Sequence, residues 1–175
     1  MALTDTQLLT ACANFTLLHT HEAEEQVFKE LETSGATRLV NALRIFRLQR
    51  AVLAVGMFSM FEALLQSKLK LGWDEPPFKR LEEFLLRHGK ADLAAFITDY
   101  NLAINVLKHG KGKSYEKLLQ RLDRLEFTVR GDHEVCEEGD VSEVDILVDV
   151  DDDFVRRCAE LIEQASSVIS EHVTP

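Results

Sequence analysis

The residues best placed to do chemistry are Asn101, Asn105, Lys108 and His109, followed at once by Lys111, Lys113, Ser114 and Tyr115. Helical periodicity places Asn101, Asn105, Lys108 and His109 on one polar arc beside a buried stripe. Gly110 and Gly112 separate the basic residues that follow. Amide, ammonium, imidazole, hydroxyl and exposed backbone groups thus fall within short reach of each other. Lysines bind phosphate as point charges, and glycines let backbone N–H groups come close to an anion. A helix starting at Ser114 would add its N-terminal N–H groups. Histidine exchanges protons near neutral pH, which suits general acid–base work. The same run also suits a plain helix C-cap, with Lys and His near the last carbonyls and Gly after them. Glu62 lies among Met57, Phe58, Met60, Phe61, Leu64 and Leu65. A carboxylate there is expected to be partly buried and to hydrogen-bond a neighbouring helix or the His109 end.

These residues need helices to position them. A first helix is expected over about Thr4–Thr33, capped by Thr4 or Asp5 and stopped by Gly35. Leu8, Cys12, Phe15, Val27, Phe28 and Leu31 are read as its apolar stripe, and Glu22–Glu25 as solvent-facing. A second is expected over about Ala36–Leu71, basic at first (Arg38, Arg44, Arg47, Arg50) and then apolar nearly all round. Such a helix is packed on several sides, and Gly56 would admit another backbone closely. A third reads Pro77–Arg87 and a fourth Lys90–His109, with Leu93, Phe96, Ile97, Tyr100, Ile104 and Leu107 buried. Ser114 is expected to cap a short helix running to Leu122. Two-residue alternation in Glu126–Arg130 and Val144–Val150 predicts a β-hairpin with an acidic connection. Asp151–Asp153 would cap the last helix, one face of which is lined by Phe154, Cys158, Leu161, Ala165, Val168 and His172. The fold class is therefore all-α. It is read as an up-and-down bundle of about five helices, with a small β-hairpin insertion before the last. Residues 1–175 form one helical domain, the insertion occupying 126–150.

Composition limits the function. Apolar residues make up 46% and charged residues 29%, an ordinary globular balance. A net charge of −10 disfavours broad adhesion to nucleic acid or anionic lipid but leaves room for a local basic site. The start, Met-Ala-Leu-Thr-Asp, has no signal-peptide features. Ala51–Leu65 is too short to span a bilayer and contains Glu62, so no membrane association is expected. Cys12, Cys136 and Cys158 form neither a metal signature nor a disulfide framework, and a reducing cytoplasm is the natural compartment. His19 and His21 do not share a helical face, so they make a poor metal site. Asp145, Asp149 and Asp151–Asp153 lack the glycine and glutamate of a calcium loop. No metal and no cofactor are expected.

The segment Asn105-Val-Leu-Lys-His109, late in a helical pattern and preceded by an apolar helix with Glu62, resembles the HEPN superfamily. The likeness covers roughly Arg38 to Leu122. It implies a helical bundle acting as a metal-independent ribonuclease in toxin–antitoxin or phage-defence systems. Asn105 matches the family's polar position and His109 its histidine. The arginine position falls on Ile104, which cannot serve, and Lys108 lacks arginine's rigid fork. The resemblance implies His109 as general base or acid and Asn105 beside it. Lys108, Lys111, Lys113, Ser114 and Tyr115 would hold substrate, with Glu62 and Asn101 in support. It also implies a homodimer, an RNA or nucleotide ligand, and an antitoxin or other protein partner. Two alternatives stand beside the nuclease: a non-catalytic RNA-binding relative, and a helical protein–protein interaction module.

Overall fold

The computed structural model describes residues 3–131 and 147–173 of the chain. Six α-helices form among them: α1 (Asp5–Leu31), α2 (Thr37–Lys68), α3 (Pro77–Arg87), α4 (Ala91–His109), α5 (Lys113–Leu119) and α6 (Asp152–His172). A 3-10 turn, Leu122–Arg124, follows α5. The all-α class holds among the described residues. Helix α2 is the hub, packing on α1, α3, α4 and α6, while α1 lies between α2 and α6.

Local chemistry sets several boundaries. Thr4 and Gln7 form a capping box at the start of α1, so two of its first N–H groups are satisfied. Proline opens α3 at its first turn, where a missing N–H costs nothing. Asp151 caps α6 by accepting from the Phe154 N–H at 2.8 Å. Gly110 ends α4 with φ of 72°, a backbone state that favours glycine. Helix α5 differs from expectation. It starts at Lys113 after Gly112 with no side-chain cap, so Ser114 lies inside its first turn. It also ends at Leu119 rather than Leu122.

Two further expectations are corrected. The face of α1 that enters the core is Thr6, Leu9, Ala13, Leu17 and Thr20, while Leu8, Phe15 and Phe28 are exposed. Threonine can occupy such a face because its hydroxyl bonds back to the preceding turn; Thr20 donates to the Thr16 carbonyl at 2.8 Å. The β-hairpin does not form among the described residues. A single antiparallel bridge joins Val129 to Val148, flanked by Arg130 N–H to Leu147 O and Asp149 N–H to Thr128 O, both 3.0 Å. Val129, Leu147, Val148 and Val150 are buried in the helical core, which satisfies their apolar character without a ladder. The rest of the expected insertion, residues 132–146, lies outside the described residues.

One buried ion cluster ties the helices together. Arg50 of α2 donates to Asp152 of α6 at 2.6 Å and to Glu24 of α1, and it is only 7% exposed. Burial opposes its charge, but hydrogen bonds to Glu24 and Asp152 outweigh this and keep it firmly protonated. Helix α2 is also long and apolar enough, by length and composition, to cross a membrane, contrary to the expectation from Ala51–Leu65. Its most apolar stretch is 39% buried here, so much of that character faces outward.

The C-terminal ends of α3 and α6 meet through two imidazoles. The rings of His88 and His172 lie 3.9 Å apart, with Phe84 beside them. Desolvation, then the charges of His172 and Arg87, hold His88 below the usual histidine range. A histidine with a lowered folded-state value binds its proton more readily when unfolded. Its contribution is therefore present above the ordinary histidine value and lost as pH falls through the lowered one. An NMR titration should find His88 below its free value, and His172→Gln should move it back up.

Candidate functional site

Helices α2 and α4 and the start of α3 enclose a cleft of about 260 Å³. Phe58, Ser59 and Glu62 line it from α2, and Asn101, Ile104, Asn105 and Lys108 from α4. Pro76, Pro77, Phe78 and Lys79 close the third side. The spacing of Asn101, Asn105 and Lys108 (i, i+4, i+7) puts all three on the face of α4 turned to this cleft. Glu62 joins them because α2 lies against α4. The stacked rings of Phe58 and Phe78, 5.6 Å between centroids, fix the first turn of α3 against α2. No hydrogen bond or ion pair among the described residues engages the side chains of Glu62, Asn101, Asn105, Lys108 or Lys79. A carboxylate, two amides and two ammonium groups therefore converge with their capacity unspent.

The remaining predicted residues fall elsewhere. His109 is exposed at the last position of α4 and does not line the cleft. One residue beyond Lys108, it turns about 100° around the helix. Ile104 is 2% exposed, so the position where a cation was sought belongs to the core. Tyr115 is not a surface ligand. It is buried, and its hydroxyl donates to the Arg130 carbonyl at 2.6 Å, tying α5 to the segment before the bridge. Lys111 and Lys113 are exposed on the loop and first turn after α4, and Ser114 is half-buried there. They extend the basic end of α4 but do not enter the cleft.

Sequence reasoning missed the contribution of α3. The Pro76-Pro77-Phe78-Lys79 run gave a helix start, but nothing local indicated that this start would face Asn105. It also missed Asp99, on the opposite side of α4. Asp99 is 4% exposed and accepts from Arg121 at 2.6 Å and Arg124 at 2.9 Å. These bonds hold the chain after α5 against the helix that carries the cleft residues. Before α3, Trp73 is 92% exposed in a turn closed by Gly72 and Glu75, with Glu75 pinned by Arg80 at 2.8 Å.

A larger cavity of about 410 Å³ lies by Tyr100, Phe127 and Phe154. Its rim holds Glu126, Asp149, Asp151, Asp153 and Glu160, and its arginines are engaged: Arg157 with Glu126 and Glu160, Arg156 with Asp153. Surplus carboxylate makes that cavity hostile to an anion. No cluster of three or more His, Cys, Asp or Glu residues suited to a metal occurs among the described residues. Cys158 is fully buried and its thiol is pushed up by desolvation, whereas Cys12 is exposed. Comparison with protein-family models, curated proteins and solved structures finds no match to this chain.

Proposed function

We propose that this chain is a HEPN-like helical module that binds single-stranded RNA without cleaving it, in a toxin–antitoxin or phage-defence setting. The observation that carries the reading is the convergence of Glu62, Asn101, Asn105, Lys79 and Lys108 on one cleft with their side chains unpaired. Lys79 and Lys108 supply point charges for phosphate. The amides of Asn101 and Asn105 both donate and accept, as base edges require, and Glu62 accepts from a ribose 2′-hydroxyl or an exocyclic amine. Trp73, exposed three residues before the cleft wall at Pro76, offers a face for base stacking. Binding rather than cleavage is favoured because the core residue Ile104 stands where the resemblance calls for an arginine, the lysines of the cleft lack arginine's rigid fork, and His109 stands outside the cleft.

Anisotropy titrations with labelled single-stranded RNA at low salt test this. Lys108→Glu should weaken binding roughly tenfold and lower the salt slope by about 1. His109→Ala should leave binding within about twofold, and neither protein should cut RNA in chelator. Cleavage by the unaltered chain that His109→Ala abolishes would restore the nuclease. Absence of any RNA binding would leave the protein–protein module.

A further inference from the structure

The cavity beside Tyr100, Phe127 and Phe154 repels phosphate, and its chemistry suits the opposite charge. Its rim carries five carboxylates and two arginines. Both arginines are already engaged, Arg157 by Glu126 and Glu160 and Arg156 by Asp153. Among the described residues no ion pair or side-chain hydrogen bond engages Asp149, and Asp151 spends only one oxygen, on the Phe154 N–H. The floor holds a second unmet group. Tyr100 is 2% exposed, its ring packed 4.9 Å from those of Phe127 and Phe154, yet no described hydrogen bond engages its hydroxyl. A buried tyrosine hydroxyl ordinarily has a partner. The oxygen is not sealed in the core, since Ser166 Oγ is the sole sealed side-chain atom without a partner among the described residues. Of the charges that act on it, Glu126, Arg157 and Asp151 stand on the rim, so the hydroxyl is turned to the cavity. Burial pushes it above the ordinary tyrosine range, so it stays neutral and keeps a lone pair to offer a donor.

A second cavity adjoins the first, because Asp149, Asp151, Asp153 and Arg156 line both. The acidic character therefore runs on past the first cavity as a track. Its carboxylates are spread out, and among the described residues no group of three or more His, Cys, Asp or Glu side chains is placed to hold a metal ion. Dispersed negative charge over an aromatic floor fits a ligand whose cations are separated by methylene groups. We propose that this groove binds an aliphatic polyamine. One ammonium donates to the Tyr100 hydroxyl, the methylene chain lies on Phe127, and a second ammonium sits between Asp149 and Asp151. The volume, about 410 Å³, is ample for such a chain. The inference stands apart from RNA binding, since no residue lines both this groove and the cleft at Glu62.

Calorimetric titration of the full chain with spermidine tests it, without RNA and with circular dichroism to confirm folding. Salt of about 0.15 M screens diffuse attraction to the acidic surface. Spermidine should bind one to one with a dissociation constant below about 1 mM. Asp149→Asn, at an exposed carboxylate, should fold normally and weaken binding roughly tenfold. Tyr100→Phe keeps the ring and its packing and should weaken binding roughly fivefold. Magnesium chloride at equal ionic strength should not displace the polyamine. Absence of saturable binding in the millimolar range overturns the proposal. So does unchanged affinity in either variant, or displacement by magnesium, since each means loose counterion attraction rather than a site. A lysine-rich peptide that binds where spermidine does not would give the groove to a protein partner, which also overturns it.

Discussion

Replacing Arg50 by methionine is expected to cost roughly 3–5 kcal/mol of folding stability, measured by urea unfolding followed by circular dichroism. The side chain is 7% exposed and joins three helices: it lies in α2 and donates to Glu24 on α1 and Asp152 on α6. Methionine matches the aliphatic length but removes the cation. Two carboxylates, each no more than 20% exposed, would then lose their shared cation, leaving Arg156, 3.5 Å from Asp152, and Arg47 on the rim of the same pocket. The penalty comes mainly from that uncompensated charge, not from a large intrinsic strength of the pair. Removing the charges together, as Arg50→Met with Glu24→Leu and Asp152→Leu, should therefore recover most of the loss. A single-variant loss below about 1 kcal/mol would mean that the cluster behaves as an ordinary surface ion pair.

Phe58→Ala is expected to destabilise by a similar amount, roughly 3–5 kcal/mol, and to weaken binding at the cleft as well. Phe58 is 1% exposed, stacks on Phe78 and forms the cleft floor. Truncation removes the ring and leaves a cavity that α2 cannot close, because Met57 and Phe61 are already fixed in the core. Phe78 then loses the surface that anchors the first turn of α3, and Lys79 loses its position opposite Asn105. Phe58→Leu should cost much less and keep binding near that of the unaltered chain. If Phe58→Ala retains full RNA affinity, the first turn of α3 plays no part in the site.

Much of the helical framework was legible because its signals are local. Pro77 and Gly110 mark the start of α3 and the end of α4 by backbone rules that need no tertiary partner. The apolar stripe of α4 named Ile97, Tyr100, Ile104 and Leu107, which are buried, but not Leu102, Ala103 and Val106, which are buried as well. Helix α1 was misread because it carries two opposed apolar stripes, and periodicity does not say which one turns inward. Leu8 and Phe15 look more like core than Thr6 and Thr20, yet only the latter pair is covered by α2 and α6. Arg50 looked like one more member of a basic row. Its burial depends on carboxylates at Glu24 and Asp152, far away in the chain. The alternation in Glu126–Arg130 is the same whether a segment pairs as a strand or docks on helices, so the hairpin was overcalled.

The site was half legible for the same reason. Asn101, Asn105 and Lys108 follow from spacing on one helix, and Glu62 from a carboxylate set in an apolar run. His109 was grouped with them because neighbours in sequence at a helix end look like neighbours in space. The wall from Pro76 to Lys79 could not be inferred, since it arrives through the packing of α3 on both α2 and α4.

The docking of α1 on α6 has a consequence for biosynthesis. The inward face of α1, from Leu9 to Leu17, is covered in part by a helix that begins at Asp152. At about 5–20 residues per second, a ribosome delivers that helix roughly 6–24 s after α1 is complete. Once α2 has been made, and until α6 follows, the nascent chain presents α1 with α2 but not α6 to shelter it, and Glu24 with Arg50 but not Asp152. Chaperones that recognise exposed aliphatic segments on emerging polypeptides would meet this hairpin first, and the helix from Asp152 to His172 is the one that releases it.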